Sequence, residues 1–144
     1  MSTATQSNVQ HGPLVLPAYE DLTGREGRLV KIVSDSGAAK VALPSDDADR
    51  CLYLLLEGAE AGESVALEPL TPAKQFRVKF SGTCVPGDRI TLADSTQDAK
   101  RGCAAKLEGS SAGSYFVFGI AEESAVDGQL VKFRPCIEGV VTIT

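Results

Sequence analysis

Along the chain, apolar and polar residues change places in short blocks of four to seven, with turn-forming residues between the blocks. The cleanest block is QFRVKF, Gln75 to Phe80: Phe76, Val78 and Phe80 fall on one face and Gln75, Arg77 and Lys79 on the other. A period of two is the mark of a half-buried strand. Strands are likewise predicted over Arg28–Val33, Ala38–Leu43, Cys51–Leu56, Ser64–Glu68, Arg89–Leu92, Ala104–Leu107, Tyr115–Ala121, Leu130–Arg134 and Gly139–Ile143. The segments SDSG, PSDDAD and EGAEAG separate the first of them. Apolar residues at helical spacing are hard to find, so the fold is expected to be all-β, with less than about a fifth helix against the usual third. The spacing of turns suits a small β-sandwich or barrel.

The pattern is stated twice. AGESVALEP (Ala61 to Pro69) and VDGQLVKFRP (Val126 to Pro135) both run from Gly through an alternating strand to Pro. Gly62 and Gly128, and Pro69 and Pro135, stand 66 residues apart. Gly27–Ile32 resembles Gly87–Leu92 at an offset of 60, and Cys51–Leu56 resembles Tyr115–Ile120. Two similar β-meander halves are therefore expected, each hiding its apolar face against the other, because a lone hairpin is barely stable in water.

Composition bounds the rest. At 144 residues the chain is long enough for one ordinary domain. Fourteen Gly, seven Pro and no Trp agree with many turns and short elements. The net charge of −5 is uneven. Residues 1–72 hold five Lys and Arg against eleven Asp and Glu, net −6, and residues 73–144 hold nine against eight, net +1. An acidic chain without a basic stripe is a poor match for a nucleic-acid backbone or an anionic membrane surface. The polar start, Met1 to Gln10, is unlike a secretory signal, and Cys51–Leu56 is too short an apolar run to span a bilayer. A soluble protein made in a cytoplasm is expected.

Residues 1–22 read differently from the rest and are set apart as an extended N-terminal arm, leaving residues 23–144 as a single β domain. In PLVLP, Pro13 and Pro17 flank Leu14, Val15 and Leu16, with Tyr19 just beyond. The prolines forbid a helix and favour an extended path. An extended apolar segment needs a surface to lie on: either its own domain or a neighbouring subunit. We take Pro13, Leu14, Val15, Leu16, Pro17 and Tyr19 forward as candidate partner-binding residues. On that reading the arm is loosely held in the free chain and dispensable for the fold.

Candidates for chemistry are few. The only His, His11, lies in the N-terminal segment, which leaves Ser–His or Cys–His nucleophilic catalysis without a base. Glu122 and Glu123 are neighbours, and strand neighbours point to opposite faces, so they are expected to be solvated rather than a catalytic dyad. Asp46, Asp47 and Asp49 lack EF-hand spacing and read as a solvated acidic loop. GSSAGS, Gly109 to Ser114, matches no phosphate-binding fingerprint and reads as a hairpin tip. Cys51, Cys84, Cys103 and Cys136 show no close pairing and each adjoins an apolar run, so reduced, buried thiols are expected over disulfides or a metal site. No cofactor, metal site or enzymatic activity is expected.

Three segments together, DLTGREGRLVKIVSDSGAAKVAL, VPGDRITLADSTQDAKRG and SYFVFGIAEESAVDGQLVKFRP, resemble bacteriophage capsid decoration (cement) proteins. Gly87, Asp88, Ile90 and Thr91 match one recurring segment of that family, and Gly119, Ala121, Ala125, Gly128 and Val131 match its late hairpin. The resemblance spans roughly residues 20–135; the cysteines and the closing EGVVTIT fall outside it. It implies a structural virion protein that binds the outer surface of an icosahedral head and reinforces capsomer junctions. Its implied partners are the major capsid protein and further copies of itself, often as a homotrimer. A head–tail connector or tail-tube protein is the nearest alternative. A carbohydrate-binding module is a more distant one, because only Tyr19, Tyr53 and Tyr115 are at hand for a sugar platform.

Overall fold

Residues 12–144 are described by a computed structural model. Strands β1 (Leu14–Pro17), β2 (Leu29–Asp35), β3 (Ala38–Ala42), β4 (Tyr53–Glu57) and β5 (Ser64–Pro69) form one antiparallel sheet in the order β1-β5-β4-β2-β3. Strands β6 (Phe76–Lys79), β7 (Arg89–Leu92), β8 (Ala104–Lys106), β9 (Gly113–Ala121) and β10 (Leu130–Ile143) form a second, in the order β6-β10-β9-β7-β8. The only helical element among the described residues is a 3-10 turn, Asp98–Lys100. The all-β class read from the alternating blocks is the fold observed.

Adding five to each strand number of the first sheet gives the order of the second. The duplication reaches individual hydrogen bonds. Ala18 N donates to Glu63 O and Phe80 N to Gln129 O; Gly62 N donates to Ala18 O and Gly128 N to Phe80 O, all within 2.8–2.9 Å. Leu55 N donates to Arg28 O in one half and Ala121 N to Asp88 O in the other, both at 2.9 Å. Gly62 and Gly128 close equivalent turns at φ 87° and 84°, a region open to Gly at no steric cost, which is why this residue marks the repeat in the sequence.

Each half contains one strand more than the doubled phrase: β6 is the strand read from QFRVKF, and β1 is the segment read only as extended. Strands β1 and β6 open the two halves, and the residue after each bends back to form a parallel bridge with the far edge: Ala18 with Val41, and Phe80 with Ala104. Each sheet thereby curls almost shut. The apolar faces consequently do not simply press together as two flat meanders. Ala18, Leu22, Val30, Val41, Leu43, Leu55, Val65 and Leu67 fill the first half. Phe76, Val78, Phe80, Ile90, Leu92, Phe116, Phe118, Val131 and Phe133 fill the second, joined there by Leu29, Cys51 and Leu54 of the first half. The face of QFRVKF expected to be buried is buried, and Phe118 meets Phe133 edge to face at 5.4 Å.

Backbone and Arg contacts seal the seam between halves. Lys79 N donates to Gly27 O (2.8 Å) and Leu29 N to Gly102 O (2.7 Å). The buried guanidinium of Arg28 donates through Nη1 to the carbonyls of Ala99 and Arg101. Arg101 in turn reaches across to Glu20 (2.8 Å) and to the carbonyls of Leu43 and Pro44.

Candidate partner-binding surface

The segment Pro13–Pro17 is extended, as its prolines require, and lies on its own domain. Strand β1 runs antiparallel to β5 with Leu14 opposite Leu67 and Leu16 opposite Val65. Alternation then divides the candidate residues. Leu14 and Leu16 turn inward and pack on the first core, while Val15, 66% exposed, faces solvent. Pro13 is exposed and Pro17 half-buried. Tyr19 is 51% exposed, and its amide donates to the carbonyl of Val41 at 2.8 Å. It borders a groove of about 300 Å3 lined also by Glu20, Lys31, Val33 and Arg101.

This placement differs from a detachable arm. Ala18 and Leu22, just beyond the candidate residues, are almost fully buried, and Leu22 N donates to Ala59 O. The physical reason is the curled sheet: without β1, the inner faces of Val65 and Leu67 have no cover. Residues 12–22 are therefore part of the β body, and the part of the expected arm before Gly12, including His11, lies outside the described residues. What remains available to a partner from the predicted set is the outward pair Val15 and Tyr19, with Pro13 beside them.

The acidic loop does something other than sit in water. Asp49 accepts from Lys31 Nζ (2.6 Å) and from the amides of Ser45 and Asp46, and Asp47 accepts from the amide of Ser95 in the second half (2.9 Å). Partial burial pushes the Asp49 carboxyl up, but the Lys31 ammonium and the two amides outweigh it and hold it below the usual carboxylate range. Glu122 and Glu123 split as strand geometry demands. Glu122 meets Gln75 and Arg134, whereas Glu123 meets Arg77 and the amide of Lys132. GSSAGS does not form a hairpin tip. It carries the chain from β8 past β7 to β9, and Tyr115 Oη donates back to the carbonyls of Ser111 and Ala112.

Cys51, Cys84 and Cys103 are buried and Cys136 is exposed; all four are free thiols. Burial pushes the thiols of Cys51, Cys84 and Cys103 up, which suppresses the reactive thiolate. The expectation of four buried thiols is corrected at Cys136, which follows a buried Pro135 where the β9–β10 register shifts and the strand leaves the core.

The most exposed apolar surface outside β1 is in the second half. Val85, Val126 and Leu130 are each more than half exposed, and Ile137 and Val140 are 45% and 41% exposed. The first three lie at the turns on either side of the Cys84–Ala125 bridge and at the start of β10. Val85 and Val126 lie outside every strand predicted from the sequence, where alternation assigns no face, and Leu130 is the first residue of one. The uncharged, β-branched run GVVTIT was the one legible signal.

Two curled five-stranded sheets of identical strand order, fused through a buried Arg seam and without α-helix among the described residues, define the architectural class of this chain. No family profile matches the chain, and no curated protein matches it. Among solved structures it is similar to the head fiber gp8.5 N base of bacteriophage phi29, with a TM-score of 0.63 and 20% identity. That similarity covers 87% of this chain and 93% of the phage chain, so it takes in both halves of the duplication. At this identity the likeness is one of fold.

Proposed function

We propose that the chain is a structural protein of a phage virion that binds the outer surface of the icosahedral head and stabilises the junctions between capsomers. One observation carries the reading: the whole duplicated fold, and not a single hairpin of it, is similar to the base of a phage head fibre. The sequence resemblance to capsid decoration proteins supports it independently, since it was drawn from the segments that build β2, β3, β7, β9 and β10. The acidic balance, concentrated in residues 1–72, suits an outward surface better than a DNA-lined interior.

The partners on this reading are the major capsid protein and neighbouring copies of the chain, arranged as a homotrimer, with no nucleic acid, membrane, cofactor or catalysed reaction involved. The mechanism is linkage. A ligand that binds the assembled shell and not its separated subunits stabilises the shell by mass action, and many copies each touching two subunits add avidity. Val15 and Tyr19 on the outer side of β1 are proposed to contribute the apolar contact.

The test is co-sedimentation of the purified chain with undecorated heads of its phage, followed by heat or denaturant challenge of the shells. The expected result is saturable binding and a higher disruption temperature, both reduced by Val15→Asp with Tyr19→Ala. Chain that stays in the supernatant at every shell concentration would reject the reading.

A further inference from the structure

The ribbon that β9 and β10 form beyond Pro135 has no counterpart in the first half. Strands β4 and β5 are five and six residues long, and β5 stops at Pro69; β9 and β10 are nine and fourteen. Past the register shift, Gly139–Ile143 pairs with Gly113–Val117. The repeat closes its core without this overhang. It is an addition to the fold rather than a requirement of it.

Among the described residues, one flank of the overhang is without a strand partner. The amide of Phe116 donates away from β10, to the carbonyl of Asp47 at 2.9 Å, so Val140 and Phe116 form a pair that exchanges no backbone hydrogen bonds. Alternation along an antiparallel ladder then turns the N–H and C=O of both Val140 and Thr142 away from β9. The close approach of Ser114 Oγ and Thr142 Oγ1, 3.1 Å, fits such a pair. Strand β6 occupies this flank only as far as Phe133, and among the described residues no backbone group pairs with it beyond Gly139.

The other sheet edges are blunted in the usual ways. Strand β1 is bracketed by Pro13 and Pro17, β3 carries Lys40, β6 carries Arg77 and Lys79, and β8 carries Lys106. Gly139–Thr144 holds neither a charged side chain nor a proline, and Val140 is 41% exposed.

We propose that this edge pairs with the same edge of a second copy of the chain, antiparallel across a twofold axis centred on Val141. Val140 and Thr142 of each copy then exchange backbone hydrogen bonds with Thr142 and Val140 of the other. A twofold contact must be complementary to itself. Two copies each carrying −5 repel, and Gly139–Thr144, which has no charged side chain, can be laid against itself without setting like side-chain charges together. In this register Glu138 lies opposite Thr144 rather than its own copy, and Arg89 holds its carboxylate at 2.6 and 3.0 Å. Six residues bury far less than the roughly 1,200 Å2 of a stable complex, so the pairing is weak in dilute solution and strengthens where copies are crowded. The inference concerns free copies of the chain and stands apart from the shell reading.

The test places a cysteine on the axis. In a Cys136→Ser background, Val141→Cys puts two thiols in a facing pair that exchanges no backbone hydrogen bonds, about 4.5 Å apart at Cβ and close enough to bridge. Under mild oxidation of concentrated full-length chain, a covalent dimer is expected to form at least about tenfold faster than from Val85→Cys in the same background. Adding Thr142→Lys, which sets an ammonium opposite Val140 of the other copy on an otherwise uncharged edge, or Thr142→Pro, which removes an outward N–H, should abolish that advantage with melting unchanged for the Lys variant. Equal rates for Val141→Cys and Val85→Cys would overturn the proposal. So would crosslinking that survives Thr142→Lys, or that appears only after residues 1–11 are deleted, which would assign the edge to the chain's own N-terminal segment.

Discussion

Side chains set the limits of this fold where space is shortest. A Cβ built on Gly58 falls 2.0 Å from the carbonyl oxygen of Leu22, a backbone atom that cannot swing aside. Gly58→Ala is therefore expected to destabilise the first half by about 2–3 kcal/mol, read from denaturant midpoints. Asp49 is a second point of control. Its carboxyl is held below the ordinary range, so its contribution is fully present above the unfolded-state value near pH 4 and is lost as pH falls through the lower folded value. Asp49→Asn should cost about 1–2 kcal/mol at neutral pH, and the gap from the wild type should close on acidification below about pH 4. A gap independent of pH would show that packing, not the Lys31 pair, is what Asn disturbs. The thiols divide as their exposure dictates. A thiol reagent added to the native chain should consume one equivalent, Cys136, and the other three only on unfolding, with Cys136→Ser silent until then.

At the level of strands, most of the architecture was legible because alternation and turn residues are local signals. Arg89–Leu92 matches β7 residue for residue, and the doubled Gly-to-Pro phrase is the β4–β5 and β9–β10 closing hairpin of each half. Strand β6 is legible in the alternation of QFRVKF, whereas PLVLP reads only as an extended segment, and since the two share no residue pattern their equivalence shows only in what they pair with. The course of residues 12–22 was open for a related reason: prolines announce an extended path but not the surface it follows. The candidate site was legible only by half. Leu14, Val15 and Leu16 look alike in sequence, and register against β5 alone decides that Val15 is the exposed one. A chain beginning at residue 12 is therefore expected to melt like the full chain. One beginning at residue 23 loses β1, Ala18 and Leu22 and is expected to lose its cooperative transition or melt far lower, as followed by circular dichroism.

For the molecule as a whole, the duplication raises the question of whether two halves fold as one. Each sheet curls around its own cluster, which by itself would allow independent unfolding. The clusters are not symmetric, however: the first is made entirely of first-half residues, while the second includes Leu29, Cys51 and Leu54 from the first half. Opening the first half therefore strips three apolar residues from the second core and frees the carbonyls of Ala99 and Arg101 from Arg28. Opening the second half likewise unpairs a guanidinium that is buried in the seam. Each half is also smaller than the size at which a single core is comfortably stable. Calorimetry should accordingly show one transition whose measured enthalpy equals its van't Hoff enthalpy. Leu67→Ala, deep in the first core and far in sequence from the second, should cost about 3–4 kcal/mol and shift that whole transition down. If the variant instead splits the trace into an early and an unshifted late transition, the seam does not couple the halves, and the second core stands without its three borrowed residues.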